Sequence, residues 1–151
     1  MSLPSLSLKG RALRYLAARE HSRAELERKL AAHEHEPGEL ARVLDELAAR
    51  GFISEARVVE SVLNRRAARL GSARVLHELR GKGLSADALA DAQERLRASE
   101  LDRAQEVWRR KFGALAADAA ERARQARFLA ARGFGGEVVA RVLRGVASDD
   151  A

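Results

Sequence analysis

The chain contains no cysteine, so disulfides and thiolate chemistry are excluded, and this absence fits a reducing compartment. Proline occurs twice, at Pro4 and Pro37, and only 4% of residues are aromatic: Tyr15, Phe52, Trp108, Phe112, Phe128 and Phe134. With Ala, Leu and Val supplying most of the apolar content, such a composition favours helix over strand. Long apolar runs are also lacking. No stretch approaches the roughly 18 residues of a membrane helix, and the opening MSLPSLSLKG has neither the basic start nor the apolar stretch of a signal peptide. The expected location is the cytoplasm.

Arginine and acidic charge are what the chain has in abundance. The net charge of +6 is unevenly placed: residues 61–111 carry 12 basic and 7 acidic side chains, whereas 31–60 carry 3 and 7. Only Lys9, Lys29, Lys82 and Lys111 are lysine. Arginine makes planar, bidentate contacts to phosphate and carboxylate, so a polyanionic partner is one reading of this bias and an arginine-rich coding preference is the other.

Apolar residues recur at helical spacing, interrupted at His21-Ser22, Glu36-Pro37-Gly38, Gly51 to Ser54, Gly71-Ser72, Gly83 to Ser85, Gly113 and Gly133 to Gly136. The pattern predicts an all-α protein of about nine helices, over 8–19, 22–33, 37–50, 54–70, 72–82, 85–98, 99–112, 117–132 and 136–146. Ser22, Ser54, Ser72 and Ser85 stand where helix N-caps are required, and Ser22 with Glu25 has capping-box spacing. Lys29-Leu30, Glu78-Leu79 and Phe128-Leu129 recur at intervals of 49 and 50 residues. That period implies tandem three-helix repeats forming an elongated, curved array. The implied boundaries are a tail over 1–8, repeats over 9–53, 54–98 and 99–146, and a tail over 147–151.

The hexapeptide LAARGF occurs at 47–52 and again at 129–134, 82 residues apart, which is not a multiple of the period. Glycine in each copy falls at the C′ position of a helix, where the left-handed conformation is least costly without a Cβ. The following Phe is then placed to pack on the Leu five residues earlier. Leu79, Gly83 and Leu84 share the spacing. All three are predicted Schellman stops.

Catalytic and metal-binding constellations are missing. His33 and His35 lie two apart at a helix end and do not face one another, and His21 and His77 have no nucleophile motif beside them. RGKG at 80–83 and RGFGG at 132–136 lack the P-loop pattern and follow no predicted strand. No cofactor or metal is implied. Arg65, Arg66, Arg69, Arg74, Arg80 and Lys82 place six cations within eighteen residues, with Arg65 and Arg69 on one flank of their helix. This is either a phosphate-facing ridge or a solvated face paired with Glu60 and Glu78. Interleaved aromatics for base stacking are absent. The helix pair over 72–98 reads alternatively as a helix-turn-helix of a transcriptional regulator, but Asp87 and Asp91 would repel a DNA groove.

Five stretches in order, RALRYLAAREHSRAELERKLAAH (11–33), GFISEARVVESVLNRR (51–66), LGSARVLHELRGKGLS (70–85), WRRKFG (108–113) and RFLAARGFGGEVVARVL (127–143), resemble the RecX family of bacterial RecA modulators. The resemblance runs from about Gly10 to Gly145. It implies tandem three-helix repeats and a non-enzymatic protein that binds the RecA–DNA filament, and the chain is expected to act as a monomer. Such a protein restrains ATP hydrolysis, strand exchange and co-protease activity in DNA repair and the SOS response, contacting single- and double-stranded DNA without sequence preference. Family positions fall on Arg65, Arg74 and Lys82-Gly83, and on Arg19, Ser22, Glu25 and Leu26. The chain departs from the family where Ser54-Glu55 and Val58 replace an acidic pair and an aromatic. Candidate contacts to DNA phosphates or acidic recombinase side chains are Arg65, Arg69, Arg74 and Lys82, with Arg11 and Arg14 beside them. A third reading, a helical scaffold with no nucleic-acid role, would leave recombinase ATPase untouched.

Overall fold

The computed structural model describes residues 6–145, so the tail over 147–151, part of the tail over 1–8 and residue 146 lie outside it. Eight α-helices follow in order: α1 Leu8–Ala18, α2 Arg23–Leu30, α3 Glu39–Ala49, α4 Glu55–Val62, α5 Ser72–Arg80, α6 Ala86–Lys111, α7 Ala119–Ala131 and α8 Gly136–Leu143. A 3-10 turn, Ala31–His33, continues α2, and a π-helical turn, Leu63–Ala67, continues α4.

Five of the eight helices begin where a hydroxyl or carboxylate side chain supplies an acceptor, and α3, α5 and α8 begin at glycine. Ser7, Ser22, Ser54, Ser85 and Asp118 each take a backbone N–H three residues on, and Ser22 with Glu25 closes the expected capping box. Ser72 is not a cap but the first residue of α5, whose N-cap is Gly71. At Ser85 the hydroxyl accepts from Ala88 N at 3.2 Å and donates to Glu55 Oε2 at 2.6 Å. Replacing Ser85 by alanine is expected to lower stability by about 1 kcal/mol. Chemical denaturation measures it, and a change near zero would mean that water caps α6 equally well.

Two of the three predicted stops have the full Schellman pattern. Gly51 and Gly133 take φ of 82° and 93°. Phe52 N donates to Leu47 O at 2.9 Å and Gly51 N to Ala48 O at 3.0 Å; Phe134 N donates to Leu129 O at 3.3 Å and Gly133 N to Ala130 O at 3.0 Å. Phe134 is buried in the same core as Leu129, whereas Phe52 is 45% exposed and outside the first core. The third stop is looser. α5 ends two residues early, and Gly83, at φ 66°, donates to Arg80 O at 3.2 Å.

Among the described residues the count of about nine helices is corrected to eight, because residues 98 and 99 lie inside one helix. Residues 86–111 form one helix of 26 residues, about 39 Å long, and no glycine or proline interrupts them. Three separate cores nonetheless remain. The first joins Leu8, Ala12, Leu26, Leu30, Leu40, Leu44 and Leu47. The second joins Val58, Val59, Val62, Val75, Leu76, Leu79, Leu84, Ala92 and Leu96. The third joins Ala104, Leu129, Phe134, Val139, Val142 and Leu143. The second and third units share α6, which enters one core with its first half and the other with its second. A buried amide completes the third unit: Gln125 accepts from Trp108 Nε1 at 2.9 Å and donates to Ala114 O at 3.2 Å.

The two joints between units differ in kind. Between the second and third, backbone meets backbone: Gly71 N donates to Arg132 O at 2.8 Å. Between the first and second, polar side chains dominate. Ser22 Oγ donates to Lys82 O at 2.5 Å, Arg28 Nη2 to Gly81 O at 3.0 Å, and Arg57 Nε to Glu20 Oε1 at 2.8 Å. Behind Ser22 lies His21, 1% exposed. Its Nδ1–H donates to Arg19 O at 3.1 Å, and Nε2 stands 2.9 Å from Lys29 Nζ, which has only protons to offer. His21 is therefore held neutral, its pKa depressed first by burial.

Candidate anion-binding surface

The π-helical turn Leu63–Ala67 changes the direction in which α4 presents its last side chains, and such turns recur at functional sites. It carries Arg65 and Arg66, and Arg69 follows one turn later. The carbonyls released here are collected by one side chain. Arg103 Nη1 donates to Ala67 O at 2.9 Å and also to Leu70 O, while Nη2 donates to Leu96 O at 3.0 Å and Ser72 Oγ at 3.2 Å. Burial lowers the Arg103 pKa and Glu100 opposes this, and the guanidinium stays charged. Arg103 thus fixes the segment bearing Arg65, Arg66 and Arg69.

The end of α7 comes to the same place. Gly71 lies so close to Gly133 and Phe134 that a Cβ there would stand 2.2 Å from backbone atoms. Arg74 Nη1 donates to Ala131 O at 3.0 Å. Glu100 Oε1 accepts from Ser72 N at 3.2 Å and Gly135 N at 3.4 Å. Arg132 is consequently brought beside the arginines of the second unit. Arg65, Arg66, Arg69, Leu70 and Arg132 line a recess of about 150 Å³. A second recess of about 340 Å³ adjoins it, sharing Arg69 and Arg132 and adding Arg110, Lys111, Glu106 and Phe128.

Charge on this surface is poorly compensated. Glu78 serves both Arg66, at 3.3 Å, and Arg65, at 4.0 Å. Glu106 is taken by Arg109 at 2.7 Å and Arg110 at 2.8 Å, and these two hydrogen bonds hold its carboxyl down at about 2. The Arg132 guanidinium lies 4.5 Å over the Phe128 ring, and its Nε is buried with no hydrogen-bond partner. Lys111 lies 5.4 Å from the same ring.

Of the residues singled out from the sequence, Arg65 and Arg69 come together here. Arg74 is committed to the α7 carbonyl. Lys82 is only 12% exposed and sits 3.4 Å from Glu25, a carboxylate it shares with Arg19, so it is held inside the first joint, apart from this surface. Arg11 and Arg14 lie apart, on α1, around a recess of about 350 Å³ shared with Tyr15 and His33. Arg132, Arg110 and Lys111, which line these recesses, were not among the candidates: Arg132 stands inside the second LAARGF and at the head of RGFGG, read as a helix stop that lacks the P-loop pattern, and the pair stands inside WRRKFG, read only as part of the resemblance. Asp87 and Asp91 are exposed on α6, as the objection to a helix-turn-helix requires.

Among the described residues no helix is long and apolar enough to cross a membrane. The family model described as "RecX, first three-helix domain" matches residues 9–47, and "RecX, third three-helix domain" matches 98–143. The chain is 62% identical to the regulatory protein RecX of Leptothrix cholodnii, over 93% of this chain and 90% of that one. It is 51% identical to that of Ralstonia nicotianae, over 96% and 92%. A crystal structure of RecX from Lactobacillus salivarius has the same fold, with a TM-score of 0.76 at 16% identity over 91% of this chain and 93% of the other. Three-helix units in this order, with relatives this similar over nearly their full length, establish that the chain belongs to the RecX family of regulatory proteins.

Proposed function

We propose that the chain is a non-enzymatic regulator of the RecA recombinase, binding the RecA–DNA filament as a monomer and restraining its ATPase, strand exchange and co-protease activity. The observation that carries this reading is the arginine surface where the second and third units meet, formed by Arg65, Arg66, Arg69 and Arg132 with the single carboxylate of Glu78 set against them. An array of units over 9–53, 54–98 and 99–146, laid along a filament, bridges neighbouring recombinase subunits and hinders the movement that ATP turnover demands. DNA phosphates or acidic recombinase side chains meet the arginines. The helix-turn-helix alternative is disfavoured by Asp87 and Asp91.

A recombinase ATPase titration tests the role. Wild-type protein is expected to inhibit at filament-stoichiometric amounts or below, and the Arg65→Ala, Arg69→Ala double variant to require at least tenfold more. Equal inhibition by both would remove these arginines from the contact; no inhibition by wild type would remove the function. If the six cations Arg65, Arg66, Arg69, Arg132, Arg110 and Lys111 meet about six phosphates, raising salt from about 50 to about 200 mM weakens bare DNA binding about a thousandfold. A salt-insensitive affinity would exclude phosphate contacts.

A further inference from the structure

We infer that the recess formed by Arg65, Arg66, Arg69 and Arg132 is a seat for a single phosphate group. Four guanidinium groups line it and one carboxylate, Glu78, is shared between two of them, which leaves three positive charges uncompensated in a concavity. No ion pair or hydrogen bond engages the Arg69 side chain among the described residues. An anion in the recess gives the Arg69 guanidinium the partner it lacks and offsets the uncompensated charge.

Size and direction select the class of anion. At about 150 Å³ the recess is well below the roughly 300–1,000 Å³ of pockets that enclose whole small molecules, so a nucleoside stays outside and one oxyanion group enters. Its donors come from two walls, the end of the α4 segment and the end of α7. A tetrahedral phosphate offers three or four oxygens in different directions, whereas a planar carboxylate offers two in one plane. Both walls are fixed in advance. Arg103 binds the carbonyls of Ala67 and Leu70 on one side, and the bond from Gly71 N to Arg132 O holds the other. Pre-organised arginine forks of this kind suit phosphate better than lysine would. An occupied seat would also tie the second unit to the third across their joint.

The inference rests on the reading that this face meets an anionic partner, and it fails separately from the recombinase role. The phosphate is either a backbone phosphodiester of a nucleic acid strand or a free phosphate. To test it, arginine Nε–Hε resonances of the full-length ¹⁵N-labelled protein are followed at low ionic strength against inorganic phosphate, a single-stranded oligodeoxynucleotide, and acetate at matched ionic strength. The Arg132 resonance is expected to shift saturably with phosphate and with the oligonucleotide and to respond little to acetate. Arg132→Gln and, as an exposed variant with little risk to folding, Arg69→Gln should each weaken phosphate binding at least tenfold, while Arg122→Gln, which lines a different recess between α7 and α8, should not. Saturation by inorganic phosphate alone would support the seat and assign it to free phosphate. An equal response to acetate, or undiminished phosphate affinity in both variants, would overturn it. ATPase inhibition without phosphate binding would overturn the seat and leave the regulator; phosphate binding without inhibition would do the reverse.

Discussion

Replacing Gly71 by alanine is expected to cost about 3 kcal/mol or more, an overpacking penalty at the upper end of the usual range. For a chain of this size that lowers Tm by about 10 °C. The alanine Cβ would stand 2.2 Å from Gly133 C and Phe134 N and 2.3 Å from Gly133 O. All three are backbone atoms, so no rotamer change relieves the clash, and the two units must separate. Gly71 has φ of −73°, which any residue adopts, so glycine is required here for proximity and not for conformation. Separation would break the bond from Gly71 N to Arg132 O and strain the bridges made by Arg74 and Glu100. It would also carry Arg132 away from Arg65 and Arg69, so DNA affinity should fall with stability. Gly136→Ala, where a Cβ meets nothing within 4 Å, is the control and should be close to neutral. A Gly71→Ala protein melting within a degree or two of wild type would show that the joint is softer than its contacts imply.

How much of this was legible in the sequence depends on the range over which each feature is specified. Helix starts and stops are local, so the caps at Ser22, Ser54 and Ser85 and the Schellman glycines at Gly51 and Gly133 could be read from a few letters. The break at 98/99 was imposed by counting helices in threes. The residues themselves contain no breaker between Ser85 and Gly113, and the two units solve their connection by sharing a helix. The two copies of LAARGF make the same turn yet differ in burial: Phe134 enters its own unit's core beside Leu129, Val139 and Val142, whereas in the first copy Ile53 packs on the core and Phe52 stays 45% exposed. The same distinction governs the arginines. Arg65 and Arg69 lie on one helical flank, which a wheel displays. Arg132 joins them through contacts with residues some thirty to sixty positions away, Gly71, Arg74 and Glu100, and nothing in its own neighbourhood announces that. Lys82 looked available because its partner, Glu25, is 57 residues distant.

Glu25 is where the second large effect is expected: Glu25→Ala should destabilise the protein by about 3–5 kcal/mol, the cost of leaving a buried ion without its partner. Glu25 is 6% exposed and faces two cations, Arg19 at 2.7 Å and Lys82 at 3.4 Å, while its other role is to accept from Ser22 N at 3.1 Å in the capping box. Burial alone would push its carboxyl up, but the Arg19 hydrogen bond, the Ser22 amide and the Lys82 charge together hold it at about 2. Its folded pKa is thus depressed below the ordinary carboxylate value of about 4.5. The stabilisation is therefore fully present above about pH 4.5 and is lost as pH falls through about 2. Glu25→Gln separates charge from cap, since glutamine still completes a capping box. It should destabilise less than alanine at pH 7, and its stability relative to wild type should recover as the pH approaches 2. A pH-independent difference between wild type and Glu25→Gln would show that Glu25 acts only as a cap. Because the first joint is built from such polar bonds, and each apolar core stays within one unit, loss of Glu25 should loosen the first unit selectively. Amide exchange in α1 to α3 is expected to rise while that of α6 to α8 stays unchanged, since those helices are locked to the second unit by backbone and by a shared helix.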